Sequence, residues 1–146
     1  EPRQNVDINA LLHSLQANFE DMNAQVTLHG SASQPLAAYS RSLKRCVQNL
    51  LENAIRYGHR ADIFIEDQPE RLRIVIVDQG PGIPEDQLEQ VVEPFFRLES
   101  SRNAGTGGYG LGLSIAHTVA AAHEGRLQLR NREGGGLEAI LDLPRV

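Results

Sequence analysis

Apolar residues recur at helical spacing in three stretches of the chain. Over residues 7–22, Ile8, Leu11, Leu12, Leu15 and Phe19 fall at intervals of one, three and four, which predicts an amphipathic helix with Asp7 as its N-cap. Residues 40–57 repeat the pattern with Leu43, Val47, Leu50, Ala54 and Tyr57, with Ser40 as N-cap and Gly58 as terminator. Residues 111–123 form the third such segment, closed by Gly125. Between the helices the period changes to two. In residues 71–77, Leu72, Ile74 and Ile76 alternate with Arg71, Arg73, Val75 and Val77, and the turn at 67–70 joins this strand to another at 61–66 as a hairpin. A second hairpin closes the chain: 126–130 with Leu127 and Leu129 inward, Gly134, Gly135 and Gly136 at the turn, then 137–143 with Leu137, Ala139, Leu141 and Leu143 on one face. Residues 26–28 read as a short strand and 31–35 as a loop. Residues 85–92 read as a short helix with Leu88, Val91 and Val92 inward and Pro84 at its start.

Composition narrows the class without deciding it. The 146 residues are 40% hydrophobic and 23% charged, enough for one soluble domain with a real core. A net charge of −5 and the absence of any Lys/Arg-rich run argue against nucleic acid as partner. Cys46 stands alone, so no internal disulfide can form, and on a helix it reads as a small buried apolar residue. The run at 74–77 is far too short to span a bilayer, and no signal peptide is present. The chain opens on Glu1-Pro2 without an initiator methionine, which suggests a piece of something longer. His13 lies off the first helix's stripe and reads as solvated. His117 and His123 lack partners at metal-ligand spacing, so a zinc site is not expected.

The chemistry concentrates in four places. Five of the 13 glycines fall within residues 105–113, directly before the third helix, where close backbone approach and unpaired helix N–H groups make a phosphate cradle. Gly105 to Gly110 also spell the G-x-G-x-x-G dinucleotide fingerprint, but the polar residues 97–104 before it provide no strand. On the second helix Asn49 and Asn53 are four apart, so both amides point the same way and Arg56 continues the row. Two asparagines inside a helix cost propensity; spacing alone leaves a ligand and simple solvation equally open. Asp78 ends a strand and is followed by Gly80 and Gly82, an acceptor beside a backbone able to bend around a flat ligand, or else a turn leading into a helix cap. Phe95 and Phe96 stand at the base of the polar loop as an anchor.

Together these segments resemble the catalytic, ATP-binding domain of bacterial sensor histidine kinases, within the group that includes gyrase, Hsp90 and MutL. Residues 49–57 resemble the family's asparagine box, 78–84 its first glycine box, 94–97 its phenylalanine box and 108–113 its second glycine box, in the family's order. The resemblance implies an α/β sandwich: a mixed, mostly antiparallel sheet with three helices on one face and a flexible ATP lid. It makes 1–146 a single catalytic domain, excised from its dimerisation and phosphoacceptor domain.

The resemblance also implies roles. Asp78 would accept from the adenine amino group, Gly80 and Gly82 shaping the loop, with Ile83 and Val91 as apolar walls and Tyr57 covering the base. Asn53 with Asn49 would hold Mg²⁺ and the phosphates of ATP. Arg56 and Arg97 would meet phosphate charge, and Gly108, Tyr109, Gly110, Leu111 and Gly112 would form the cradle. Hydrolases of the group carry Glu as a general base where this chain has Asn49, and an amide cannot take that proton, which favours phosphoryl transfer over hydrolysis. Glu52 lies about 100° around the helix from Asn53 and faces elsewhere. None of the five histidines sits in the family's phosphoacceptor context. The implied partners are a histidine-bearing dimerisation domain of the same parent and a downstream response regulator, with no nucleic acid and no direct membrane contact. The implied location is the cytoplasmic side of an inner-membrane sensor. The rival readings are a nucleotide-binding regulator or serine kinase of the same fold, and a non-catalytic interaction module.

Overall fold

The computed structural model describes residues 1–56, 59–91 and 111–146. In chain order these are β1 (Gln4–Val6), α1 (Ile8–Glu20), β2 (Gln25–His29), β3 (Leu36–Ala38), α2 (Ser40–Arg56), β4 (Arg60–Asp67), β5 (Arg71–Asp78), a 3-10 turn (Glu85–Gln87), α3 (Leu111–Ala122), β6 (Arg126–Asn131) and β7 (Leu137–Pro144). The main sheet runs β2-β4-β5-β7-β6, with β2 parallel to β4 and every other pair antiparallel. Both expected hairpins are present.

Strand alternation sorts the sheet's two faces. Rows such as Ile63, Ile76, Ala139 and Leu129 align across four strands and join one core with Leu12 and Leu15 of α1, Leu43 and Leu50 of α2, and Leu113 and Ala116 of α3. All three helices therefore pack on that face. The opposite face carries only a small cluster of Val75, Val77 and Ile140, flanked by the ion pairs of Arg73 with Glu66 and Asp142 and of Arg130 with Glu138. Burying a leucine contributes about 2 kcal/mol, and truncating one to alanine costs about 2–5 kcal/mol, so Leu12 or Leu43 is a place where one change would break the layer.

Helix ends show where local reading succeeds and fails. Asp7 caps α1 as expected, its carboxylate accepting the Ala10 N–H at 3.0 Å. Ser40 does not cap α2: its hydroxyl donates to Gln4 at 3.2 Å. The Glu1 carboxylate takes the place instead, accepting the N–H groups of Arg41 at 2.7 Å and Ser42 at 3.4 Å. A charged acceptor at the positive end of a helix is the stronger partner, and the Arg41 N–H is the main reason the Glu1 carboxyl is held below its ordinary pKa. Gly125 closes α3 as expected, its N–H donating to the Ala120 carbonyl at 2.9 Å, but the left-handed residue of that turn is its neighbour. Glu124 adopts φ +62°, and Gly125 is needed because a side chain there would collide with the Asp142 carbonyl. The expected helix at 85–92 is a 3-10 turn followed by further turns, tied by Gln87 N–H to Pro84 O and Val91 N–H to Gln87 O; Val92 lies outside the described residues. The ribbon of β1 and β3 was not expected: its three-residue strands are too short to show a period.

A polar knot ties the sheet's far end to the C-terminus. The Asp67 carboxylate accepts the Ser33 hydroxyl and N–H, both at 2.6 Å, and the Arg145 guanidinium, also at 2.6 Å, while Arg145 reaches the carbonyls of Pro35 and Gln68. Ser33 chiefly, with Arg145, holds the Asp67 carboxyl down to about 2. A lowered carboxyl stabilises the fold above the unfolded value of about 4 and loses that contribution as pH falls toward 2. Thermal melts of D67N at neutral pH are expected to fall a few degrees below the parent, with the gap closing between about pH 4 and 2; a gap that persists at pH 2 would contradict this assignment.

Candidate functional site

The central strand β5 ends at Asp78, and the end of that strand is where the first half of the site is built. Asp78 is 3% exposed, and its Oδ1 accepts two backbone N–H groups, Gly80 at 2.8 Å and Leu137 at 3.1 Å. One comes from the loop that follows Asp78 and the other from the first residue of β7, so the carboxylate joins the two. Gly136, just before, has φ +95°, and a side chain there would strike the Asp78 carbonyl. The loop then bends at Gly82, φ +79°. A Cβ at Gly82 would meet not open space but the Asn131 side chain, so its glycine is required by conformation and by this neighbour.

Asn131, the last residue of β6, was not singled out in the sequence. Its Oδ1 accepts the Ile83 N–H at 2.9 Å and its Nδ2 donates to the Ile83 carbonyl at 2.6 Å, copying one rung of a β ladder with a side-chain amide. The same Nδ2 lies 3.2 Å from Glu85 Oε1. The only local signal was an amide beside a glycine turn, and its partner lies 48 residues away.

The second half of the site comes from α2. Leu50, Leu51 and Ala54 hold the helix in the core, which turns Asn49 and Asn53 toward the start of α3. A Cβ placed on Gly112 would sit 3.1 Å from Asn53 Nδ2, a tight contact, and 3.6 Å from Asn49 Cβ, so the first turn of α3 lies directly against both asparagines. Asn53 is 7% exposed, and the Nδ2 groups of both asparagines are buried with no hydrogen-bond partner among the described residues. The burial of both Nδ2 atoms favours the ligand reading of these two amides over simple solvation. Asn53 and Asp78 line one small cavity together with Leu50, Ile76, Leu113 and Leu137, so the structure brings α2, β5, α3 and β7 to a common point.

Other expected site residues divide into three groups. Ile83 and Val91 are buried in the main core at 2% and 0% exposure, and Arg56 is exposed in the last turn of α2. Glu52 is exposed and accepts from Gln48 on its own helix, facing away as expected. Tyr57, Phe95, Phe96, Arg97, Gly108, Tyr109 and Gly110 lie outside the described residues, as does the side chain of Leu111. Two further titratable groups stand apart from the chemistry. Cys46 is fully buried, and desolvation pushes its thiol up to about 12. His123 is 2% exposed with both ring nitrogens engaged, Nδ1 with the Val119 carbonyl at 2.8 Å and Nε2 accepting the Tyr39 N–H at 3.0 Å.

What the arrangement can hold follows from the donors. Two buried NH₂ groups with nothing to donate to suit anionic oxygens, and the first turn of a helix adds N–H groups without intrahelical partners. Among the described residues no group of three or more His, Cys, Asp or Glu could hold a metal ion by itself. A cation here would depend on the amide oxygens of Asn49 and Asn53 and on oxygens that arrive with the ligand, a pattern that suits Mg²⁺ bound to phosphates. An unpaired buried amide costs about 1–3 kcal/mol. Removing it in N53A, which also gains helix propensity, is therefore expected to leave the ligand-free protein at least as heat-stable as the parent; a melting temperature several degrees lower would mean the amide has a structural partner.

Known proteins share this fold. The profile of the histidine kinase-, DNA gyrase B- and HSP90-like ATPase family matches residues 38–146. The chain is 45% identical over 144 residues to the sensor histidine kinase GtrS of Pseudomonas aeruginosa, a match covering 98% of this chain and 29% of that protein. It is 37% identical over 105 residues to the signal transduction histidine-protein kinase BaeS of Escherichia coli, covering 70% of this chain and 22% of BaeS. The chain thus spans less than a third of the length of these relatives. Among solved structures, the catalytic domain of histidine kinase ThkA superposes with a TM-score of 0.83 at 27% identity over 99% of both chains. The mycobacterial sensor histidine kinase MprB gives 0.81 at 27% over 97% of both. The chain belongs to the histidine kinase-, DNA gyrase B- and HSP90-like ATPase family, with the fold of the ATP-binding catalytic domain of sensor histidine kinases.

Proposed function

We propose that this chain binds Mg-ATP and donates its γ-phosphoryl group to a histidine on a separate dimerisation domain, as the kinase module of a two-component sensor. The observation that carries the reading is the pair of Asn49 and Asn53 amides beside Gly112, whose buried Nδ2 groups have no partner among the described residues, with Asn53 on the same small cavity as Asp78. In this reading Asp78 accepts from the adenine amino group, its orientation fixed by the N–H groups of Gly80 and Leu137. Ile83 and Val91 back the base and Tyr57 covers it. The Asn49 and Asn53 amides and the start of α3 receive the phosphates, with Arg56, Arg97 and residues 108–112 completing the cradle. Bound Mg²⁺ supplies neutralisation of phosphate charge. The protein's own contribution is positioning: it holds the phosphates against fixed dipoles and keeps water from an activating base.

Two features favour transfer over hydrolysis. Asn49 stands where the hydrolases of the group carry a carboxylate base, and Glu52 points to solvent. Nor does any of the five histidines sit in the family's phosphoacceptor context, and two of them are held structurally: His123 has both ring nitrogens engaged, and His29 is bonded to Asp62 and stacked on Phe64. The acceptor then belongs to another domain of the parent, and a response regulator receives the group next. Among the described residues no helix is long and apolar enough to cross a membrane. Residues 1–146 act, in this reading, as one cytoplasmic catalytic domain of an inner-membrane sensor.

Calorimetric titration with ATP, with and without Mg²⁺, tests the binding. D78A is expected to weaken ATP at least tenfold under both conditions, whereas N53A is expected to lose mainly the gain that Mg²⁺ provides. With labelled ATP, stable phosphohistidine is expected only after addition of a histidine-bearing dimerisation domain. Phosphohistidine on the isolated chain, or no ATP binding by the folded parent, would overturn the reading.

A further inference from the structure

The clamp at Asn131 has no part in the roles assigned above, yet its amide makes three hydrogen bonds at the loop that follows Asp78. Its amide closes two hydrogen bonds on the backbone of Ile83, one in each direction, and its Oδ1 occupies the space a Gly82 side chain would need. Asn131 is anchored in turn: it is the last ladder position of β6, paired with Leu137, whose N–H holds the Asp78 carboxylate. Asp78 and the loop after it are thus tied to one edge of the same hairpin. Leu137 fixes the carboxylate and Asn131 fixes the loop.

The geometry points to Asn131 as a positioning residue for base recognition, which sets the affinity and selectivity for the adenine ring through Ile83 and Gly82. The inference rests on the proposed ATP site. A loop from Gly80 to Pro84 with Gly82 at positive φ and no regular ladder of its own has few ways to stay in one conformation, and a two-point amide bond supplies one. A preformed loop does not have to be ordered when the base arrives, so the ordering cost is not charged against binding. Phosphate contacts at Asn49, Asn53 and Gly112 lie on α2 and α3 and do not pass through this clamp. Loss of the clamp should therefore act on the base end of the ligand alone.

The test compares three probes on the whole chain: ATP, GTP and inorganic triphosphate. N131A is expected to weaken ATP about tenfold or more and to narrow the preference for ATP over GTP, while triphosphate binding stays within about twofold. E85A, which removes only the third and longest bond to Asn131, is expected to bind all three probes like the parent. If N131A unfolds at the titration temperature, N131D decides: it keeps an acceptor for the Ile83 N–H and loses the donor, and the same selective loss is expected. Equal weakening of ATP and triphosphate would make Asn131 a general structural residue and overturn the inference, as would unchanged ATP binding in a folded N131A. Failure of the parent chain to bind ATP at all would instead refute the underlying functional reading.

Discussion

The arrangement depends on one buried carboxylate. Asp78 ends the central strand β5 inside the protein, where an ionised group without partners would be expensive, and Oδ1 meets the N–H groups of Gly80 and Leu137. Those two bonds join three parts of the fold: the end of β5, the loop that leaves it and the start of β7. Gly136 is glycine because the Asp78 carbonyl lies where its side chain would be, so even the turn between β6 and β7 is shaped by this residue. The base recognition proposed for Asp78 needs a carboxylate held in one direction, and backbone donors hold it without using a flexible side chain.

The opposite end of the proposed site leaves two donors unbonded among the described residues. Asn49 and Asn53 are held by the packing of α2 in positions where their Nδ2 groups are buried and unpartnered, a cost the fold accepts near Gly112. In the proposed reading, satisfied donors at the base end and unsatisfied donors at the phosphate end divide the labour physically: the first would be fixed before ligand arrives and the second completed by it, as a planar base with a highly charged tail requires.

Much of this was legible in the sequence because the relevant signals are local. Helical periodicity placed Asn49 and Asn53 on one face of α2, and strand alternation placed Asp78 at the end of β5, so the two halves could be seen before their meeting could. Spacing alone could not separate a ligand-directed asparagine from a solvated one; the buried Nδ2 groups beside Gly112 favour the first. The failures share a cause. Ser40 looked like a cap, but Glu1, distant in sequence, brings a charged acceptor to the same helix end. Leu88 and Val91 mimic a helical step in a segment that closes 3-10 and isolated turns instead. Asn131 gave no periodic signal, because its importance lies in a contact across 48 residues that only the folded sheet creates.

The most direct measurement is a crystal structure of this chain with Mg²⁺ and a non-hydrolysable ATP analogue. The account requires the adenine amino group within hydrogen-bond distance of the Asp78 carboxylate. It also requires phosphate oxygens or the metal at the Asn49 and Asn53 amides, giving the orphaned groups their partners. An analogue bound elsewhere, or bound with both amides still unpartnered, would contradict it.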